Sequence, residues 1–282
     1  MSLLKNMRNM MGVAVVAGVS NFALYMAMRG PRPEKVQVIA HRGGAALEPE
    51  NTEAAFRNAA RIGADWIEFD VHRTSDGVLV IMHDDTVNRM TNGVGFIKDM
   101  TWEQLHELRV VNGEFIMTFE EVVTLAKQIG IGILAELKST GYYPDIEVEA
   151  LEIVRKAGYS DRTIFTSFDW DALAHIKELA PEISVSALVG LTQWNAIEQV
   201  PENFEIVAPM AEMLLLNPWM IPHAHGAGYE VWAWFGVLDN PVVYRLMLEI
   251  GVNGLIVNDP VTALNMVGKK SLPALPPREG TI

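Results

Sequence analysis

The sequence predicts an α/β chain organised as one irregular (β/α)8 barrel preceded by a single N-terminal transmembrane helix. Three observations carry this. After residue 35, short β-rich runs alternate with helical stretches, the pattern of a parallel sheet built from βα units. No long linker interrupts the alternation, and 282 residues with 50% hydrophobic side chains can fill one large barrel core, which also excludes wholesale disorder. An uncharged run of 20 residues, Asn9 to Met28, stands ahead of it. The chain divides into a short flank (1–8), an anchor helix (9–28), a linker (29–35), the barrel domain (36–270) and a Pro-rich tail (271–282).

As a helix rising 1.5 Å per residue, the uncharged run reaches about 30 Å, the thickness of a bilayer's hydrocarbon core. Lys5 and Arg8 flank it on one side, Arg29 and Arg32 on the other. A single-pass membrane anchor is the leading reading, which makes the membrane a partner and the location membrane-anchored. The basic flanks are similar in number and leave the side open. The rivals are a cleaved secretory signal, an amphipathic targeting peptide, and an apolar first helix docked on the barrel. Gly30-Pro31-Arg32-Pro33 then turns the chain into the barrel.

The candidate strands are Val36–Ala40, Trp66–Val71, Val78–Met82, Ile131–Glu136, Thr163–Thr166, Ser184–Ala187, Glu205–Ala208, Glu230–Trp234 and Gly254–Val257. Between them, Thr101 with Gln104 and Thr118 with Glu121 have capping-box spacing, and Gly63, Gly130 and Gly158 stand where helices should stop. One gap breaks the barrel rule: His72–Gly77 is too short for a crossover helix. Folded as a hairpin about Ser75-Asp76-Gly77, with paired residue numbers summing to about 152, it sets His83 opposite Glu68–Asp70. Folded as an extended parallel return, it brings His83 to the same mouth.

The formal net charge of −13 repels nucleic acid, and the first 33 residues contain four bases and no acid, so the remainder is more acidic still. No nucleic-acid partner is expected, and a phosphate-bearing substrate needs a local cation or a converging Arg and Lys. The absence of cysteine excludes disulfides, thiolate zinc sites and Cys nucleophiles. No P-loop, Gly-x-Ser-x-Gly or Gly-x-Gly-x-x-Gly run is present.

Glu68 and Asp70 lie two apart on a strand and so share one face, the barrel interior if Phe69 points outward. By spacing alone, solvated acids at a strand end are the plainer reading. Glu136, closing another apolar strand, shifts the balance toward a shared hard cation, one Mg²⁺ or Ca²⁺. Lys138 points the same way as Glu136. His41-Arg42-Gly43-Gly44 ends the first strand and His83-Asp84 the third. Each signal is weak alone; together they provide two imidazoles and a phosphate-forking Arg around a possible metal. His72 reads as a loop residue beyond the strand end. His223-Ala224-His225 reads as a helix terminus rather than a zinc site.

VIAHRGG, PENT at Pro49–Thr52, IEFDV, SDG, MHDDTVNRMTNGVG and AELK occur in that order. With them the chain resembles the glycerophosphodiester phosphodiesterases, metal-dependent hydrolases on an irregular TIM barrel, over nearly all of residues 36–262. The resemblance implies that His41 and His83 are the acid/base pair, that Glu68, Asp70 and Glu136 hold the divalent metal, and that Arg42 and Lys138 bind phosphate. It also implies a pocket including Phe168, from TSFDWDAL, and Trp232. Departures collect near the C-terminus: Trp232-Ala233-Trp234-Phe235 replaces the family's usual Trp-Thr-Val-Asn, and Asn253-Gly254-Leu255-Ile256-Val257-Asn258 replaces Asp-Gly-Ile-Ile-Thr-Asp. The wall containing Trp234 is thus more apolar, suiting an acylated or bulky alcohol group such as a lysophospholipid's better than bare glycerol. The expected reaction yields glycerol 3-phosphate or a lysophosphatidic acid plus an alcohol. The alternatives are a phospholipase D or C acting on membrane lipids and a catalytically idle membrane-bound binding protein.

Overall fold

The computed structural model of the protein describes residues 21–138 and 141–273. All nine expected strands form: β1 Gln37–Ala40, β2 Trp66–Arg73, β3 Leu79–Ile81, β4 Gly132–Leu137, β5 Thr163–Ser167, β6 Ser184–Val189, β7 Ile206–Pro209, β8 Glu230–Trp234 and β9 Gly254–Val257. Eight of them run parallel in the order β1-β9-β8-β7-β6-β5-β4-β2, and pairing of β1 with β2 closes the barrel. The ninth, β3, is antiparallel to β2 with Val71 facing Ile81 and His72 facing Val80, the hairpin alternative in its expected register.

The helices are α1 Glu53–Ile62, α2 Trp102–His106, α3 Phe119–Ile129, α4 Ile146–Ala157, α5 Trp170–Leu179, α6 Ala211–Leu216, α7 Met220–Gly226, α8 Pro241–Ile250 and α9 Pro260–Met266. Both capping boxes are present, at the starts of α2 and α3, and Gly63, Gly130 and Gly158 end α1, α3 and α4 at left-handed φ. Two crossovers depart from the simple repeat. Residues 82–118, between β3 and α3, form an insert with its own apolar cluster around Met82, Val87, Ile97 and Leu105. The β6–β7 connection carries only a 3-10 turn, Ala196–Glu198.

The main core lies between the strands and the surrounding helices. Inside the barrel, Ile39, Leu134, Ile164, Leu188, Ile206 and Ile256 form a smaller packed layer with Trp232 and Trp66. The two indoles fit there because β4 and β9 begin with glycine. A Cβ on Gly254 would meet the Trp232 ring at 2.6 Å, and one on Gly132 would run into Trp66. The barrel is therefore closed at its floor and open only at the carboxyl ends of its strands.

The N-terminal expectation is corrected. Among the described residues no helix is long and apolar enough to cross a membrane. The expected flank (1–8), residues 9–20 of the expected anchor and the end of the tail (274–282) lie outside the described residues. Residues 21–28 are helical and lie against the barrel. Tyr25 is 3% exposed, donates to the Ile250 carbonyl at 2.6 Å and meets the Trp219 ring edge-on at 5.2 Å. Trp219 donates to Asn21 at 3.0 Å, and Arg29 and Arg32 both reach Glu249. Absence of charge in a sequence does not distinguish side chains that face lipid from side chains that face a neighbouring helix. Here Phe22, Tyr25 and Met26 face the barrel. The helix at 21–28 supports the docked-helix rival, and the membrane partner and single-pass location fall with the anchor.

Tyr25→Phe removes one buried hydroxyl from this docking contact and leaves the Ile250 carbonyl unpaired; it should lower unfolding free energy by about 1 kcal/mol in urea titrations. No change would show that the segment does not dock.

Candidate active site

Three acids converge because of strand parity and register. Glu68 and Asp70 on β2 stand beside Leu134 and Glu136 on β4, all on the inward face. One carboxylate oxygen from each of Glu68, Asp70 and Glu136 lies within 4.8 Å of the others. Glu68 is 3% exposed and Asp70 fully buried. Burial, and then the charges of Asp70 and Glu136, push the Glu68 carboxyl well above the usual carboxylate range. Burial also raises Glu136, partly offset by Lys138. Asp70 goes the other way: burial opposes its ionisation, but Lys138, His83 and Arg42 hold its carboxyl far below the usual range. Lys138 Nζ lies 2.8 Å from Asp70 and 2.5 Å from Glu136 and, despite its own burial, keeps its proton more tightly than a free lysine. Three crowded hard oxygens whose repulsion is only partly balanced by one ammonium fit a divalent cation, and these residues would hold it.

His41 ends β1 in a tight turn. Arg42 takes a left-handed φ of 52°, and a Cβ on Gly43 would meet Ala55 at 2.7 Å, so the turn needs glycine there. The turn aims the Arg42 amide at Glu68 Oε2, 2.7 Å away, and sends its guanidinium to Glu50 at 3.2 Å and toward Asp70 at 3.8 Å. His41 Nδ1 contacts Asn258 Oδ1 at 2.7 Å, and burial and Arg42 together pull the ring's pKa down to about 4 against the opposing effects of Asp70 and Asn258.

His83 follows β3, tied to β2 by the Met82 amide, which donates to the Asp70 carbonyl. Its Nδ1 lies 2.8 Å from Asp84 Oδ1. Arg89 forks onto both Asp84 oxygens at 2.7 and 2.9 Å and reaches Glu50 at 2.6 Å, and this clamp holds the Asp84 carboxyl down at about 2. A continuous chain of polar contacts thus runs from Arg42 through Glu50, Arg89 and Asp84 to His83.

His41, Arg42, Glu68, His83, Glu136 and Lys138 supply polar lining to a cavity of about 390 Å³ at the barrel mouth. Leu134, Leu188, Ile256, Phe168, Trp234 and Phe235 supply its apolar lining. Phe168 and Trp234 meet edge-to-face at 5.8 Å, and Trp234 is fixed by donation to the Val189 carbonyl. Trp232 is not part of this cavity. Two residues earlier on β8, it sits a layer deeper, 2% exposed beside Trp66 and bonded to Glu230. His72 is not a loop residue either, because β2 runs on to Arg73; its ring is buried between the Tyr143 hydroxyl at 3.1 Å and the His83 carbonyl at 3.3 Å. His225 contacts Asn253 at the end of α7, away from the cavity.

Sequence reasoning missed the groups that hold these side chains: Glu50, Asn51, Asp84, Arg89 and Asn258. Asn51, at φ 58°, donates to Asp70 Oδ2 at 3.0 Å and to the Arg42 carbonyl. The one signal available for it was an Asn inside the Pro-Glu-Asn-Thr run, since Asn tolerates the left-handed region.

Residues 41–262 match the model of the glycerophosphoryl diester phosphodiesterase family. The chain is 35% identical over 252 residues to a glycerophosphodiester phosphodiesterase of Caldanaerobacter subterraneus subsp. tengcongensis, covering 83% of this chain and 99% of that protein. Among solved structures it is similar to a phosphodiesterase of Oleispira antarctica in complex with the product sn-glycerol-3-phosphate, with 25% identity, a TM-score of 0.74, and 84% and 97% of the two chains covered. It is also similar to a glycerophosphodiester phosphodiesterase of Parabacteroides distasonis, with 26% identity, a TM-score of 0.73, and 85% and 98% covered. Sequence and fold agree with the acid-lined mouth, and the chain belongs to the glycerophosphodiester phosphodiesterase family, enzymes of metal-assisted hydrolysis that release glycerol-phosphate-type products.

Proposed function

We propose that this enzyme cleaves its phosphodiester with His41 as proton acceptor and His83 as proton donor, on substrates that include lysophospholipids. The observation that carries the proton roles is the difference between the two imidazole partners. Asp84 is a carboxylate and stabilises positive charge on His83, whereas Asn258 is a neutral amide and does not do so for His41. His41 takes the proton of the attacking hydroxyl, which is either the substrate's own neighbouring hydroxyl or water, and His83 protonates the departing alkoxide. Arg42 and Lys138 face the non-bridging phosphate oxygens. One Mg²⁺ or Ca²⁺ held by Glu68, Asp70 and Glu136 would supply charge neutralisation at the phosphoryl group.

The substrate reading rests on the apolar lining of the cavity. Phe168 is 47% exposed, and with Trp234 it offers an aromatic face open to solvent, suited to an acyl chain or other bulky group. Assays on glycerophosphocholine and lysophosphatidylcholine, with products identified by ³¹P NMR, should show lysophosphatidic acid from the second. Trp234→Ala should raise KM more for the lysolipid than for glycerophosphocholine. An enzyme active on glycerophosphocholine and inert on lysolipids ends this reading.

His41→Ala and His83→Ala should each lower kcat by about 10²–10⁴ with Tm unchanged; near-normal turnover in either removes that ring from the mechanism. Mg²⁺ or Ca²⁺ at a hundredfold excess over Kd should add about 2.7 kcal/mol to unfolding free energy. Glu68→Gln should lose most of that gain, and, with one repelling charge gone, should be no less stable than wild type in chelator. Differential scanning calorimetry with each cation and with chelator reads both effects.

A further inference from the structure

His41 has two neighbours that pull its single ring proton in opposite directions. Its Nε2 lies 3.9 Å from Glu68 Oε2, a contact that favours a proton on Nε2. Its Nδ1 lies 2.7 Å from Asn258 Oδ1, and a carbonyl oxygen only accepts, so this contact requires the proton on Nδ1. The Asn258 contact prevails, because 3.9 Å is beyond hydrogen-bond range and Glu68 Oε2 already accepts the Arg42 amide.

This holds only while the Asn258 amide presents its oxygen to the ring. Asp239 holds Asn258 in place. Its carboxylate accepts the Asn258 backbone N–H at 3.1 Å, fixing the position from which the amide oxygen meets His41. Tyr244 donates its hydroxyl to the other Asp239 oxygen, and its ring is fully buried edge-on to Phe235 at 5.0 Å. Neither Asp239 nor Tyr244 lines the cavity.

We propose that Asn258, held in place by Asp239 and Tyr244, is a positioning residue that holds His41 in the tautomer with its proton on Nδ1, keeping the Nε2 lone pair toward the cavity. The role rests on His41 being the proton acceptor. In the opposite tautomer Nε2 carries a hydrogen and cannot accept a proton, while the lone pair is buried against the β9 loop.

Asn258→Leu removes the acceptor at similar volume. Two-bond ¹H–¹⁵N correlation spectra of histidine-labelled protein in Mg²⁺ or Ca²⁺ buffer at neutral pH report which nitrogen of His41 carries the proton. Kinetics on glycerophosphocholine accompany them. Wild type should show the Nδ1–H form alone. Asn258→Leu should populate Nε2–H and lose about tenfold or more in kcat with KM changed by no more than about twofold. An Asn258→Leu protein that keeps Nδ1–H overturns the proposal. A changed tautomer with unchanged kcat upholds the lock and instead removes His41 from proton transfer. Should Asn258→Leu not fold, Asp239→Ala carries the same readouts: Nε2–H is the expected result, and an unchanged tautomer overturns the proposal.

Discussion

The site is organised by the cost of placing three carboxylates inside one barrel mouth. Glu68, Asp70 and Glu136 are forced together by the register of β2 and β4, in surroundings too dry to disperse their charge. Positive charge arrives in response: Lys138 just past the end of β4, beside Glu136, and Arg42 from the β1 turn. A site that must collect positive charge to exist is suited to an anionic ligand.

The two histidines are similar in placement and different in support. Each presents Nδ1 to a side-chain acceptor, but His83 has a carboxylate clamped by Arg89, and His41 has an amide whose backbone N–H is held by Asp239. Two rings of the same chemistry thereby meet neighbours of different charge.

Much of the fold was legible because its signals are local. Short β-rich runs located every strand, Thr101 and Thr118 marked helix starts, and Gly63, Gly130 and Gly158 marked helix ends. The acids and histidines of the site were legible because each sits in a short motif on a strand or just after one. What could not be read depends on depth or on distant partners. Trp232 and Trp234 share parity, so the sequence does not show that one plugs the barrel and the other lines its mouth. The links from Arg89 to Glu50 and from Asn258 to His41 join residues 39 and 217 positions apart, a separation along which no local pattern exists. The apolar run before the barrel failed as a guide because the partner of Tyr25 lies 225 positions away.

The insert between β3 and α3 carries an apolar cluster separate from the main core, and it supplies His83, Asp84 and Arg89, while the acids and His41 belong to the barrel proper. Part of the cavity lining therefore hangs on a set of side chains distinct from those that fill the barrel. Loosening of that small cluster would withdraw one imidazole from the mouth while the eight-stranded cylinder keeps its own core.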